Sequence, residues 1–136
     1  MKLTYELTRK TFRGWSGAQL IVSPVPQAGF LIEIAEGDEV AQAEVSQEEA
    51  SLIAEKIATV CSLDRSIGYH ERQNTRTKLI GEEGQSLSVG YVNDGEPFRE
   101  GIRIAFDVEE QWELSRYIDL EQYEARELAK FLRTTK

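Results

Sequence analysis

Apolar and polar residues alternate singly over several short stretches of this chain and recur at helical spacing over two longer ones. Leu3, Tyr5 and Leu7 alternate with polar neighbours, and residues 18 to 25 form a second apolar stretch that ends at Pro24 and the turn Pro26-Gln27-Ala28-Gly29. Phe30, Ile32 and Ile34 then share one face, and residues 40 to 45 read as a fourth strand after the turn Glu36-Gly37-Asp38-Glu39. At Ser46 the period changes. Ala50, Ile53, Ala54, Ile57 and Val60 fall on one helical stripe, and Glu49 stands three residues after Ser46, the spacing of a capping box.

The same succession follows a second time. Residues 75 to 80 predict a polar first strand, Leu87, Val89 and Tyr91 a second, Ile102, Ile104 and Phe106 a third, and Trp112, Leu114 and Ile118 a fourth. Ala125, Leu128, Ala129 and Leu132 repeat the helical stripe, with Asp119 as the expected cap and Gln122 three residues on. The copies match residue by residue: Gly14, Gly17, Leu20, Val22 and Val25 correspond to Gly81, Gly84, Leu87, Val89 and Val92 at an offset of 67, and Glu49-Ala50 to Glu124-Ala125 at 75. The extra residues of the second copy fall mostly in Asn93 to Gly101, where Asp94-Gly95 signals a lengthened hairpin. The expected fold is therefore α+β, with two tandem ββββα repeats, antiparallel sheets covered by two amphipathic helices, and a pseudo-two-fold. A chain of 136 residues suits a single domain, residues 1–62 forming repeat one and 63–136 repeat two.

The net charge of -8 opposes non-specific attraction to nucleic acid, but its distribution is uneven. Residues 1 to 20 sum to +3 and 61 to 80 to +2, whereas 21 to 60 sum to -7 and 81 to 136 to -6. The lone Cys61 and the lone His70 leave no set for a disulfide or a structural zinc, and no cofactor is expected. Cys61 reads as a small hydrophobe after the first helix. Residues 14 to 17 lack the spacing of a nucleophile elbow, and no phosphate loop is present, so a non-enzyme is expected. With no apolar run long enough to span a membrane and no signal-like N-terminus, the expectation is a soluble, cytoplasmic protein.

The element order, the basic first strand of each copy and three local stretches resemble one known group. These stretches are Ser86-Leu87-Ser88-Val89-Gly90-Tyr91, then Phe98-Arg99-Glu100-Gly101-Ile102-Arg103-Ile104, then Leu120-Glu121-Gln122 opening the helix. They resemble the Whirly, Pur-repeat and transcriptional positive-coactivator superfamily of single-stranded nucleic-acid binders. The resemblance implies a non-catalytic protein that binds single-stranded DNA or RNA. It also implies a monomer or homodimer, since relatives with one repeat per chain dimerise.

Single-strand binding needs a positive track and aromatics on which bases stack. The candidates are Arg9, Lys10, Arg13 and Trp15 in the first copy, with Tyr69, Arg72, Arg76, Lys78 and Arg99 in the second. Trp15 stands between Gly14 and Gly17, where a large aromatic has little local packing. The alternative function is a small acidic interaction module, such as an inhibitor, immunity or adaptor protein. It would meet a basic protein partner on an acidic helix-bearing side exposing Glu48, Glu55, Glu121 and Glu127.

Overall fold

A computed structural model describes residues 9–62, 77–80, 85–95, 98–108 and 114–133. It is an α+β fold of two antiparallel sheets and two helices. The first sheet is the meander β1 (Lys10–Arg13), β2 (Gln19–Val25), β3 (Gly29–Glu36) and β4 (Glu39–Val45), in that spatial order, and it leads into α1 (Gln47–Cys61). The second sheet comprises β5 (Thr77–Ile80), β6 (Gln85–Gly95), β7 (Phe98–Val108) and β8 (Arg116–Glu121), followed directly by α2 (Gln122–Arg133). β5 is short, and its register with β6 shifts between Lys78 and Ile80, so the second half departs here from the regular first.

Alternation decides which side of each strand is buried. Leu20 and Val22 of β2, Phe30, Ile32 and Ile34 of β3, and Val45 of β4 face inward; Val89, Ile102, Ile104, Ile118 and Leu120 do the same in the second sheet. Both sets join the helical stripes in one hydrophobic cluster. The expected stripes are all buried: Ala50, Ile53, Ala54, Ile57 and Val60 in α1, and Ala125, Leu128, Ala129 and Leu132 in α2. The helices pack on each other and reach across the halves. α1 touches β3 and β4 of its own half and β5, β6 and β7 of the other, while α2 touches β7 and β8 and also β1. Phe131 of α2 meets Phe30 of β3 with ring centroids 5.8 Å apart.

The turns obey local rules. Glycine is needed at position 29, where φ is +131° and a Cβ would lie 2.0 Å from the carbonyl oxygen of Val45. Pro24 does not end β2 but pairs within it, opposite Phe30. It is tolerated because β1 pairs β2 only from Gln19 to Val22, so among the described residues no strand asks for an amide at Pro24 on that side.

Ser46 caps α1 as expected: its hydroxyl accepts from the Glu49 amide at 3.1 Å and the Glu49 carboxylate accepts from the Ser46 amide at 2.9 Å. The second helix corrects its expectation. It begins at Gln122, because β8 stays paired with β7 out to Glu121 opposite Gly101 and the Asp119 carboxylate is bound to Arg103. The fourth strand of the second half likewise starts later than expected: Leu114 is exposed in a helical turn outside β8, and Trp112 lies outside the described residues, as do Leu3, Tyr5 and Leu7. The hairpin of the second copy is lengthened as expected, and its length lies in the strands: the β6–β7 ladder continues to Gly95 opposite Phe98.

Replacing Leu128 by Ala is expected to cost about 2 to 5 kcal/mol in urea melts, the range for a buried Leu; a loss below about 1 kcal/mol would place the stripe outside a core. Gly29→Ala should cost at least about 1 to 3 kcal/mol from backbone strain alone, with a lowered midpoint in the same melts.

Candidate functional site

The outward face of the second sheet brings together side chains that no linear motif marks. Arg103 lies between the core residues Ile102 and Ile104, so its side chain leaves β7 on the side away from the core. Register pairs Arg103 with Asp119 of β8 and Ala105 with Tyr117. The guanidinium donates to both carboxylate oxygens of Asp119, from Nε at 2.7 Å and from a terminal nitrogen at 3.0 Å, in the bidentate geometry that suits arginine. Its central carbon lies 4.2 Å from the centroid of the Tyr117 ring. The hydrogen bonds to Asp119 hold Arg103 above its ordinary pKa, against the opposing pull of burial.

Tyr117 remains 50% exposed beside this pair, while the neighbouring positions on the same face are small and buried: Ser88 at 4%, Ala105 at 1%, and Gly90. One cross-strand row runs Lys78, Ser88, Ala105, Tyr117, and the next runs Gly90, Arg103, Asp119. One half-exposed aromatic ring, braced by a cation, thus stands beside positions that are themselves covered. A ring left partly open to solvent is what stacking against a planar group requires.

Trp15 differs from its expectation. It does not stand off its turn but docks on the second half: its amide donates to the Asp119 carbonyl at 3.0 Å, and its indole tip fills the space left by Gly101. A Cβ at Gly101 would meet Trp15 Cζ2 at 2.7 Å and the Leu120 carbonyl oxygen at 2.2 Å, and a Cβ at Gly14 would lie 2.5 Å from Ile118. The two glycines thus permit a seam between the first turn and the β7–β8 pair.

The basic residues of the first strand do not share a face. Lys10 lies on the same side as buried Phe12, with its ammonium 5.4 Å from the Phe12 ring, 6.0 Å from the Phe131 ring and 3.6 Å from a Glu127 oxygen. Arg13 is exposed, at a position of the same parity as Thr11 and opposite to Phe12, and Arg9 is exposed just before β1. Lys78 occupies β5 and Arg99 pairs opposite Asp94 in the long hairpin. Tyr69, Arg72 and Arg76 lie outside the described residues. Arg103, Tyr117 and Asp119 were missed as site residues; the available signal was strand parity, which sets all three opposite to the core positions Ile102, Ile104 and Ile118.

The acids are arranged differently from expectation. Glu48, Glu55 and Glu127 are exposed, but Glu121 is half-buried at the end of β8. The helix-bearing side also carries exposed Arg126, Lys130 and Arg133, so both signs occur there. Cys61 is not poised as a nucleophile: burial pushes its thiol up, only partly countered by the Arg126 guanidinium beside it. Among the described residues no group of His, Cys, Asp and Glu is placed to hold a metal, and no helix is long and apolar enough to cross a membrane. A scan of family models and a search of curated proteins both return no match to this chain.

Arg103→Ala is expected to cost about 1.5 to 3 kcal/mol, the range for a hydrogen bond to a charged group, and Arg103→Lys should recover only part of it in thermal melts. Alkylation of Cys61 by iodoacetamide should be slower than that of a free thiol and should accelerate only as pH rises above the ordinary thiol range. Arg126→Ala removes the charge that favours thiolate, so it should move that rise to still higher pH.

Proposed function

We propose that the chain is a non-catalytic single-stranded nucleic-acid-binding protein of Whirly- and Pur-like architecture, in which two tandem ββββα repeats related by a pseudo-two-fold form one body. The exchange of helix contacts between the halves supports that architecture, as do the two meanders, each followed by a helix. The single observation that carries the binding reading is the Arg103–Tyr117 patch. A half-exposed ring with a guanidinium stacked on it suits an unpaired base. Lys78 stands in the same cross-strand row as Tyr117, and Arg13 and Arg9 are exposed on the first half as further phosphate contacts.

One observation favours a second reading, an adaptor for a basic protein. Between Arg13 and Lys56 the chain has no Lys or Arg but eight acids: Glu33, Glu36, Asp38, Glu39, Glu44, Glu48, Glu49 and Glu55. Of these, Glu36, Asp38, Glu39, Glu44, Glu48 and Glu55 are exposed, and Arg116 pairs with Glu39. Such a field raises association rates with a basic surface and repels phosphates.

Fluorescence polarisation at low salt with labelled single-stranded DNA and RNA separates the two. The nucleic-acid reading expects saturable binding that falls with salt at a log-log slope of about -0.7 per phosphate neutralised. Tyr117→Ala should weaken it by about 1 to 3 kcal/mol, the worth of one stacked base, and Arg76→Glu should weaken all sequences alike. No polarisation change at tens of micromolar protein would reject nucleic-acid binding and leave the adaptor reading.

A further inference from the structure

Across the helix pair, on α1 and α2, runs an open groove of about 340 Å³ lined by Ile57 and Ala58 of α1 and by Arg126, Ala129, Lys130 and Arg133 of α2. We propose that this groove docks an acidic amphipathic helix, a partner site that does not depend on the function proposed above. The cations stand at i, i+4 and i+7, hence along one stripe of α2. Like charges at that spacing destabilise a helix slightly, so the three cations do not stabilise α2 through one another. Lys130 and Arg133 also favour the dipole of the last turn of α2, and Arg126, a turn earlier beside Cys61, lies at the carbonyl end of α1; the three together make one continuous cationic wall. Among the described residues neither Lys130 nor Arg133 forms an ion pair.

The two walls differ, and the difference selects the occupant. The floor is apolar and low, because Ala58 and Ala129 are small and Ile57 is buried beneath them. The α2 wall is cationic, whereas α1 contributes Ala58 and, one turn earlier, exposed Glu55. A nucleic-acid backbone, charged all along, would gain nothing from the floor and would face Glu55. A helix with an apolar stripe flanked on one side by carboxylates matches floor and cationic wall together, the usual way a helix is read in a groove.

The probe is a fluorescein-labelled peptide of roughly 18 residues, long enough to form a helix, with Leu along one stripe and Glu on the flank. It would be titrated into the full chain by polarisation. Saturable binding is expected, weakened at least about tenfold by Lys130→Glu with Arg133→Glu, and also by Ala58→Arg, which raises the exposed floor. Tyr117→Ala, on the other side of the molecule, should leave it unchanged. All of these positions are exposed, and circular dichroism and melting checks that each variant is folded. Equal binding of a scrambled peptide of the same composition would overturn the proposal. So would wild-type affinity in the charge-reversed variant, displacement of the peptide by single-stranded DNA, or no binding at all.

Discussion

Each helix buries part of its apolar stripe against strands of the other half, and the remaining structure depends on that exchange. Phe131 of α2 closes over Phe30 of the first sheet, and α1 lies along β5, β6 and β7 of the second. Neither half then owns a complete core, because the face it must cover belongs to its neighbour. The same exchange brings Arg126 beside Cys61 at the end of α1, a helix with no basic residue in its own last turn, so α2 supplies the positive charge that the α1 carbonyl end favours. The seam at Trp15 extends this dependence to the far edge of the second sheet, where an amide and an indole from the first turn meet Asp119 and Gly101.

What could be read from sequence was what local rules determine. Ser46 with Glu49 specifies a cap within four residues, and the periods of 2 and 3.6 identify β2, β3, β6, β7 and both buried stripes. Errors came where a distant partner competes with a local rule. Asp119 has the spacing of a cap, but Arg103, sixteen positions away, takes its carboxylate, and β8 stays extended to Glu121. Trp15 between glycines reads as exposed because Gly101, which receives it, is remote in sequence. Asp94-Gly95 reads locally as a turn, but both residues stay paired in the β6–β7 ladder, opposite Arg99 and Phe98. Arg103, Tyr117 and Asp119 belong to no linear motif, and only pairing of β7 with β8 makes them a cluster.

Charge is sorted finely in this molecule. Lys10 meets Glu127, Arg103 meets Asp119, and Arg116 meets Glu39, so these three cations are locally neutralised. The Lys10 pair is largely exposed and contributes under about 1 kcal/mol; its larger role is to cover the Phe12 and Phe131 rings. What remains is an acidic stretch from β3 into α1, a cationic stripe on α2, and a braced tyrosine on the second sheet.

The most direct test of the exchanged core is urea unfolding followed by amide hydrogen exchange at α1, β3 and β7 in the full chain. A core shared across the halves predicts that the most protected amides of all three elements open together, with one midpoint and one opening free energy. Opening of β7 and α2 at lower urea while β3 and α1 stay protected would contradict it, because the first half would then be stable without its neighbour.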